Sequence, residues 1–414
     1  MDIVHTRCAG LDISKRDVKV CVRIQEANRT KVDATVTTWG AMTNQILTLR
    51  DHLIEQRVTL VVMEATGDFW KPFYFLLEDG PFEIMLVNPR HVKNLPGRKT
   101  DVADARWLAD LGAHGLVRGS FVPPEPIRKL RDFTRMRTAI VHARSQEIQR
   151  LEKLLEDPGI KLSSVATDIT GVSSRAILEA LVAGERDPNV LADLAKRRLR
   201  SKIPELTEAL TGRFNDHHAV MVRLYLNLID EHTRTIEELT THIEEAIEPF
   251  RCARDLIVTI PGISTTVADV IIAETGADMS RFPTPGHLAS WAGTVPGSNE
   301  SAGRVKSTHT RPGNPYLKRA LGVAALSASR SKDTYYSAKY RRLAGRRGPI
   351  KAVVAIEHAM LVAIWNMLQT GETYSDPGSN YFTNRDPEKA KNRALNQLRD
   401  LGYLVTIEAK PDAA

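Results

Sequence analysis

Apolar residues in the first hundred positions fall into short runs that no helical period fits. Residues 7–24 (RCAGLDISKRDVKVCVRI) read as two strands around a polar turn, and VTLVVMEATG (58–67) and FEIMLVN (82–88) read as two more, each rich in β-branched residues. MTNQILTLRDHLIEQ before Val58 and FWKPFYFLLEDG after it carry helical spacing instead. Strands alternating with helices predict an α/β sheet domain over residues 1–125, closed by Pro123, Pro124 and Pro126.

The pattern then lengthens. From Ile127 to Leu155 the apolar positions Leu130, Phe133, Ile140, Ile148, Leu151 and Leu155 recur at three-, four- and seven-residue spacing, with eight basic residues against three acids, which predicts a long basic amphipathic helix. Over 219–248, Val222, Ile229, Ile236 and Ile243 stand every seven residues, with Leu239 and Ile247 beside them, the mark of a coiled-coil arm. Two such helices either pack on each other within one subunit or form the seam of a homodimer or homotetramer. A helical coiled-coil middle (126–250) therefore precedes a mainly α domain (251–371) and a tail (372–414), whose one clear helix has Asp386 as N-cap, Pro387 in the first turn and Gly402 at its end. Residues 157–218 read as helical and carry no recognisable chemistry.

Composition adds little to this until it is resolved by region. The 414 residues, 42% apolar and 26% charged, suit a globular protein of two or three domains. The net charge of +7 is modest, but residues 301–350 hold twelve Lys or Arg against the single acid Asp333, a stretch drawn to phosphate. The three cysteines (Cys8, Cys21, Cys252) lack metal-ligand spacing, so a disulfide framework and a zinc site are not indicated. No basic start with an apolar run opens the chain and no apolar stretch approaches the ~20 residues of a membrane span, so a cytoplasmic protein without a membrane partner is expected.

Four acids carry the candidate chemistry of the first domain. Asp12 in GLDIS and Glu64 in VVMEATG end apolar strands, which places them at a sheet rim. Asp101 and Asp104, three apart in KTDVADARWLADLG, project from one face at the start of a helix, just after the basic loop Pro96, Gly97, Arg98, Lys99. Carboxylates that converge repel one another unless cations lie between them, and two Mg2+ ions ~3.5–4 Å apart are what phosphodiester cleavage uses to hold the scissile phosphate and activate an oxygen. Taken singly, Asp12 also fits a turn, and Asp101 with Asp104 also fits an acid pair favoured by the helix dipole. The order strand Asp, strand Glu, then D-x-x-D on a late helix resembles the RNase H-like fold of RuvC resolvases. Actin-like kinases share that fold, but they need a glycine-rich turn after the first Asp, where Ile13, Ser14 and Lys15 stand here.

In the third domain, LIVTIPGISTTVADVIIAETG (256–276) has the form of a helix-hairpin-helix, with Pro261 and Gly262 turning the chain and Ile263 anchoring it. Such a turn offers backbone N–H groups to a DNA phosphate, although Ser264 stands where a second glycine is usual, and a merely structural helical turn fits as well. LASWAGTVPGSNESAGRVKSTHTRPGNPYLKRAL (288–321) reads as a long polar loop leading into a helix at about Pro315, and a loop of this length is usually functional. Its Arg304, Lys306, Arg311, Lys318 and Arg319 are available to neutralise a phosphate. By composition alone, Ser298, Ser301, Ser307, Thr308 and Thr310 are equal candidates for a hydroxyl nucleophile.

Taken together, GLDISK, VVMEATG, GRKTDVADA, IPGI, ASWAGTVPGSNESAGR and RPGNPYLKRAL resemble the DEDD transposases of the IS110 family of bacterial insertion sequences, over nearly all of residues 5–370 and in the right order. The resemblance implies an N-terminal RuvC-like domain, a coiled-coil middle and a C-terminal transposase domain. It further implies Asp12, Glu64, Asp101 and Asp104 as a tetrad binding Mg2+, and Ser301, by its place in NESAG, as the nucleophile that joins DNA covalently. Donor and target DNA are then the substrates, and a structured guide RNA is an implied partner, with which the basic helix 127–155 and the basic loop 90–99 are compatible. The alternatives are a Holliday-junction type of hydrolytic nuclease, which needs the tetrad and no serine, and a DNA-binding protein, which needs neither.

Overall fold

The computed structural model describes residues 3–25, 31–92, 100–297 and 299–407. It divides into two compact units, residues 1–123 and 124–414.

The first unit is built on a five-stranded sheet in the order β3-β2-β1-β4-β5. β1 (Arg7–Ile13) pairs antiparallel with β2 (Asp17–Ile24), β2 with β3 (Asp33–Gly40), and the parallel strands β4 (Leu60–Glu64) and β5 (Glu83–Val87) extend the sheet on the other side. The helices α1 (Thr43–Glu55) and α2 (Trp70–Leu77) occupy the stretches where helical spacing predicts them, and a short α3 (Pro89–Val92) follows β5. The alternation within each strand sorts the two faces. Ala9, Leu11, Val18, Val20, Val61 and Met63 bury against α1 and α2 in one cluster. On the other face, Cys8, Leu60 and Val62 pack with Leu108 and Leu111 of α4 (Asp101–Ala113). Burial on both faces explains why these strands are continuously apolar in sequence. β3 is the strand of this sheet that the apolar pattern does not predict, because DATVTTWG lies at the sheet edge and none of its residues is fully buried.

In the second unit, α5 (Glu125–Glu156) and α10 (Asp216–Ala246) run antiparallel against each other, with Arg137 donating to Thr240 at 2.9 Å and Arg144 to Thr233 at 2.8 Å. One end of the pair joins a core made by the short helices α6 (Leu162–Val165), α7 (Val172–Ala183), α8 (Pro188–Asp193) and α9 (Ile203–Ala209), where Leu151 and Leu155 of α5 meet Val222, Leu226 and Ile229 of α10. At the other end, Ile127 and Leu130 join Ile243 and Ile247 in the largest core, with α11 (Arg251–Val258), α12 (Thr265–Thr275), α13 (Pro285–Trp291), α14 (Pro315–Arg330), α15 (Tyr335–Arg347) and α16 (Pro349–Thr370). The buried heptad positions Val222, Ile229 and Ile243 are thus filled within the chain, the first of the two packings that the pattern allows.

One apolar stretch that sequence reading passed over is α16, a helix of 22 residues that is long and apolar enough to cross a membrane by length and composition alone. Here its stripe Ile356, Met360, Leu361 and Ile364 lies in the C-terminal core. The tail folds as α17 (Tyr381–Arg385) and α18 (Pro387–Asp400), with the Asp386 side chain accepting the Lys389 N–H at 3.1 Å as the cap.

Candidate active site

Parallel pairing fixes two of the acids relative to each other. Leu11 stands opposite Met63 in the β1–β4 register, so the next residues, Asp12 and Glu64, leave neighbouring strands at the same level, both half-buried. By alternation they share the sheet face of Cys8, Gly10 and Val62, which is the face that α4 covers.

The packing of α4 sets its direction. A Cβ on Gly10 would stand 2.2 Å from the Ala105 carbonyl oxygen and 2.4 Å from the Ala109 nitrogen, and one on Gly112 would strike Val62 and Cys8. The helix therefore crosses the strand with residue 112 near Cys8 and residues 105–109 near Gly10, which carries its first turn toward the strand ends where Asp12 and Glu64 stand. That turn holds Asp101, exposed, and Asp104, half-buried, and Thr100 caps it by accepting the Ala103 N–H at 3.3 Å. Arg23 of β2 fastens the far end, donating to Asp110 at 2.7 Å. All four acids accordingly lie toward one rim of one face.

Placement and convergence are different matters. Among the described residues, no three His, Cys, Asp or Glu side chains gather closely enough to hold a metal ion as they stand. Glu64 instead accepts a hydrogen bond from the Thr66 hydroxyl at 2.8 Å. The donor set, carboxylate oxygens alone, is of the kind that suits a hard divalent cation such as Mg2+. Arg98, Lys99 and Ser298 lie outside the described residues.

Ser301 does not stand in an irregular loop. β6 (Asn299–Ser301) and β7 (Arg304–Ser307) form an antiparallel hairpin, with Ser301 directly opposite Arg304. The two turn residues both have positive φ, Ala302 at 49° and Gly303 at 73°, as a tight two-residue hairpin turn demands. Directly opposed residues project from the same side of a ribbon, so the Ser301 hydroxyl shares a face with Arg304, while the register slips between Asn299 and Glu300 and leaves Lys306 at an irregularity of the opposite strand. Ser301, Arg304 and Lys306 are exposed. Sequence reasoning missed the hairpin because NESAGRVKS has no apolar alternation: it is a ribbon without a buried face.

The hairpin's base is pinned. Gly297 donates to His309 at 3.0 Å, and a Cβ on Gly313 would fall 2.1 Å from the Ala292 oxygen, so Gly293 and Gly313 meet backbone to backbone. Asn314 then caps α14, accepting from Tyr316 and Leu317, and its side-chain NH2 donates to Glu274 at 2.6 Å. Glu274 is fully buried and also receives Arg135 through two bonds of 2.7 and 2.8 Å, while Arg131 donates to the backbone oxygens of Ala273 and Glu274. This cluster supports the base of the hairpin through Asn314, and sequence reading overlooked it; its one signal was the pair of acids, Asp269 and Glu274, in the otherwise apolar stretch VADVIIAET.

Two further expectations change. Arg131, Arg135, Arg137 and Arg144 of the basic helix α5 all bond within the chain, which leaves that helix less cation for nucleic acid than its composition implies. At Gly262, φ is +91° and a Cβ would meet Ala324 and Ala328 of α14 at 2.5–2.8 Å, so packing of a helix, not approach of a phosphate, requires glycine there. Ser264 caps α12, which accounts for its replacing the usual second glycine. Among the remaining cations, Arg311 is exposed, Lys318 reaches Thr310 at 3.5 Å, and Arg319 contacts His142 at 2.6 Å.

Comparison with known proteins follows the same two segments. A model of IS110-type DEDD transposases, described as transposase, matches residues 9–158, and one described as transposase IS116/IS110/IS902 family matches residues 254–341. The chain is 29% identical over 308 residues to a 42 kDa protein of insertion element IS900 from Mycobacterium paratuberculosis, covering 67% of this chain and 73% of that one. It is 26% identical over 330 residues to the transposase for insertion sequence element IS1111A of Coxiella burnetii, covering 77% and 80%.

Proposed function

Since the chain belongs to the IS110 family of insertion-sequence transposases, we propose that it cuts and rejoins DNA by a Mg2+-dependent reaction passing through a Ser301–DNA phosphodiester. The observation that carries the reading is the placement of Asp12, Glu64 and the Asp101/Asp104 turn toward one rim of one sheet face. Three antiparallel strands continued by two parallel ones, with helices on both faces, support an RNase H-like (RuvC-like) first unit. Asp12, Glu64, Asp101 and Asp104 would hold the metal, which when bound supplies charge neutralisation at the phosphate and a more acidic attacking oxygen.

The serine performs the covalent step. Its Oγ forms a bond to phosphorus, the ester bond to one strand oxygen breaks, the hydroxyl proton passes to solvent, and that strand leaves as a free hydroxyl. The hydroxyl of a new strand reverses the step and releases Ser301, so no external energy is needed to rejoin. Arg304, on the face of the hydroxyl, holds the phosphate and offsets the charge that develops on it, with Lys306 two residues along the same strand. The acids stand on the first unit and the serine on the second. Donor and target DNA are the substrates, a guide RNA from the element is the further partner, and an oligomer supplies the several active sites that strand exchange needs.

The test is to denature a reaction with end-labelled DNA and follow the label. It is expected to migrate with the wild-type protein and to be absent from Ser301→Ala. Asp12→Ala, Glu64→Ala, Asp101→Ala and Asp104→Ala are each expected to lose cleavage by about 100-fold or more at an unchanged melting temperature. Label retained by Ser301→Ala, or near-normal cutting by two of the acid variants, overturns the reading. Sequencing any RNA that copurifies tests the guide.

A further inference from the structure

A groove between α15 and the tail extends past the end of the second matched segment of the family. A cavity of about 810 Å3 lies between α15 and the tail helices α17 and α18. Arg341 and Arg342 line it from α15, and Arg385, Lys389 and Arg393 from the tail, all five exposed. The one carboxylate in its wall, Asp386, accepts the N–H that caps α18, and no described carboxylate forms an ion pair with any of the five cations. Lys389, Arg393 and Gln397 recur every four residues on α18, so one helix face is turned to the groove, with the small side chains of Ala390 and Ala394 leaving room beside them.

The tail is fastened in place. The Asp376 side chain accepts the N–H groups of Tyr335 and Gly378 at 2.9 and 2.7 Å, and Tyr374 stacks on Tyr336. Phe382 stacks on Tyr335, with the Arg342 guanidinium 4.7 Å from its ring centre. That ring is already covered and offers no platform to an unpaired base, which single-stranded recognition relies on. A groove with five uncompensated cations and no free aromatic face suits phosphates alone.

We propose that this groove binds the sugar–phosphate backbone of duplex DNA away from the reacting phosphate, without reading sequence. The choice of DNA rests on the function proposed above; the cationic groove does not depend on it. The tail then acts as an electrostatic anchor on the flanking duplex, an attachment whose strength falls steeply with salt.

The test compares the full-length wild type with the triple variant R385Q/K389Q/R393Q by fluorescence anisotropy. The probes are a 30-bp duplex DNA of arbitrary sequence and an RNA hairpin of equal charge, titrated from 50 to 200 mM KCl. For DNA, the slope of log K against log salt is expected to become shallower by about two to three, at about 0.9 for each phosphate that the variant no longer neutralises. R341Q, on the other wall, is expected to reduce it by about one. Circular dichroism melts check that both variants fold; if the triple variant does not, R341Q alone decides. An unchanged DNA slope in a folded variant overturns the proposal, as does a loss confined to the RNA hairpin. Covalent DNA label in wild type with an unchanged slope rejects the groove and leaves the transposase reading standing; a shallower slope with no label does the reverse.

Discussion

The acids and the serine are held by opposite means. The Asp12/Glu64 rim rests on a sheet buried on both faces, and α4 lies so close to it that Gly10 has no room for a Cβ. Ser301 stands on an exposed two-stranded ribbon, fixed at its base by the Gly297–His309 bond, the Gly293–Gly313 approach and the Asn314–Glu274–Arg135 cluster. The difference teaches that a rigid set of carboxylates can be presented by ordinary core packing, while a nucleophile that must meet a large, shaped substrate is carried on an arm whose position is decided away from its tip.

Breaking the base should therefore have the largest effect on stability. Glu274→Ala removes the carboxylate that Arg135 bonds twice and leaves the guanidinium half-buried without it, so a loss of about 3–5 kcal/mol is expected in chemical denaturation. If the melt is unchanged, the cluster does not hold the arm. On the sheet side, Gly10→Ala is expected to cost about 1–3 kcal/mol by forcing α4 from β1, and to lower cleavage along with it, because it shifts the turn bearing Asp101 and Asp104. A variant that is destabilised yet cuts normally would separate the acids' function from the packing of α4.

The smallest effect sharpens the contrast from inside the second unit. Asp269 of α12 is buried beside Arg254 at 3.6 Å, with Glu244 and Arg137 near it, and burial pushes its carboxyl up to about 6. The unfolded chain gives up this proton first, near the ordinary value of 3.8, so the folded state loses stability as pH rises from about 4 to about 6 and has no such penalty below that window. Asp269→Asn lacks this loss and should gain about 1–3 kcal/mol relative to wild type between pH 4 and pH 7 in parallel denaturation curves. An advantage that does not change with pH would mean that Asp269 titrates normally.

Much of the first unit was legible because its strands and helices announce themselves by period: β1, β2, β4, β5, α1 and α2 lie where apolar spacing puts them. The sequence also identified the acids as strand-end and helix-start residues, a local property of GLDIS, VVMEATG and KTDVAD. What it could not determine is partnership. A heptad records that a helix has an apolar stripe and not which helix fills it, and only the fold assigned α10 to α5 of the same chain. A glycine records freedom and not its cause, and only the fold traced Gly10 to α4 and Gly262 to α14. Residues far apart in sequence, such as Arg135, Glu274 and Asn314, become one cluster through tertiary packing alone, since no local pattern encodes a bond across 139 positions.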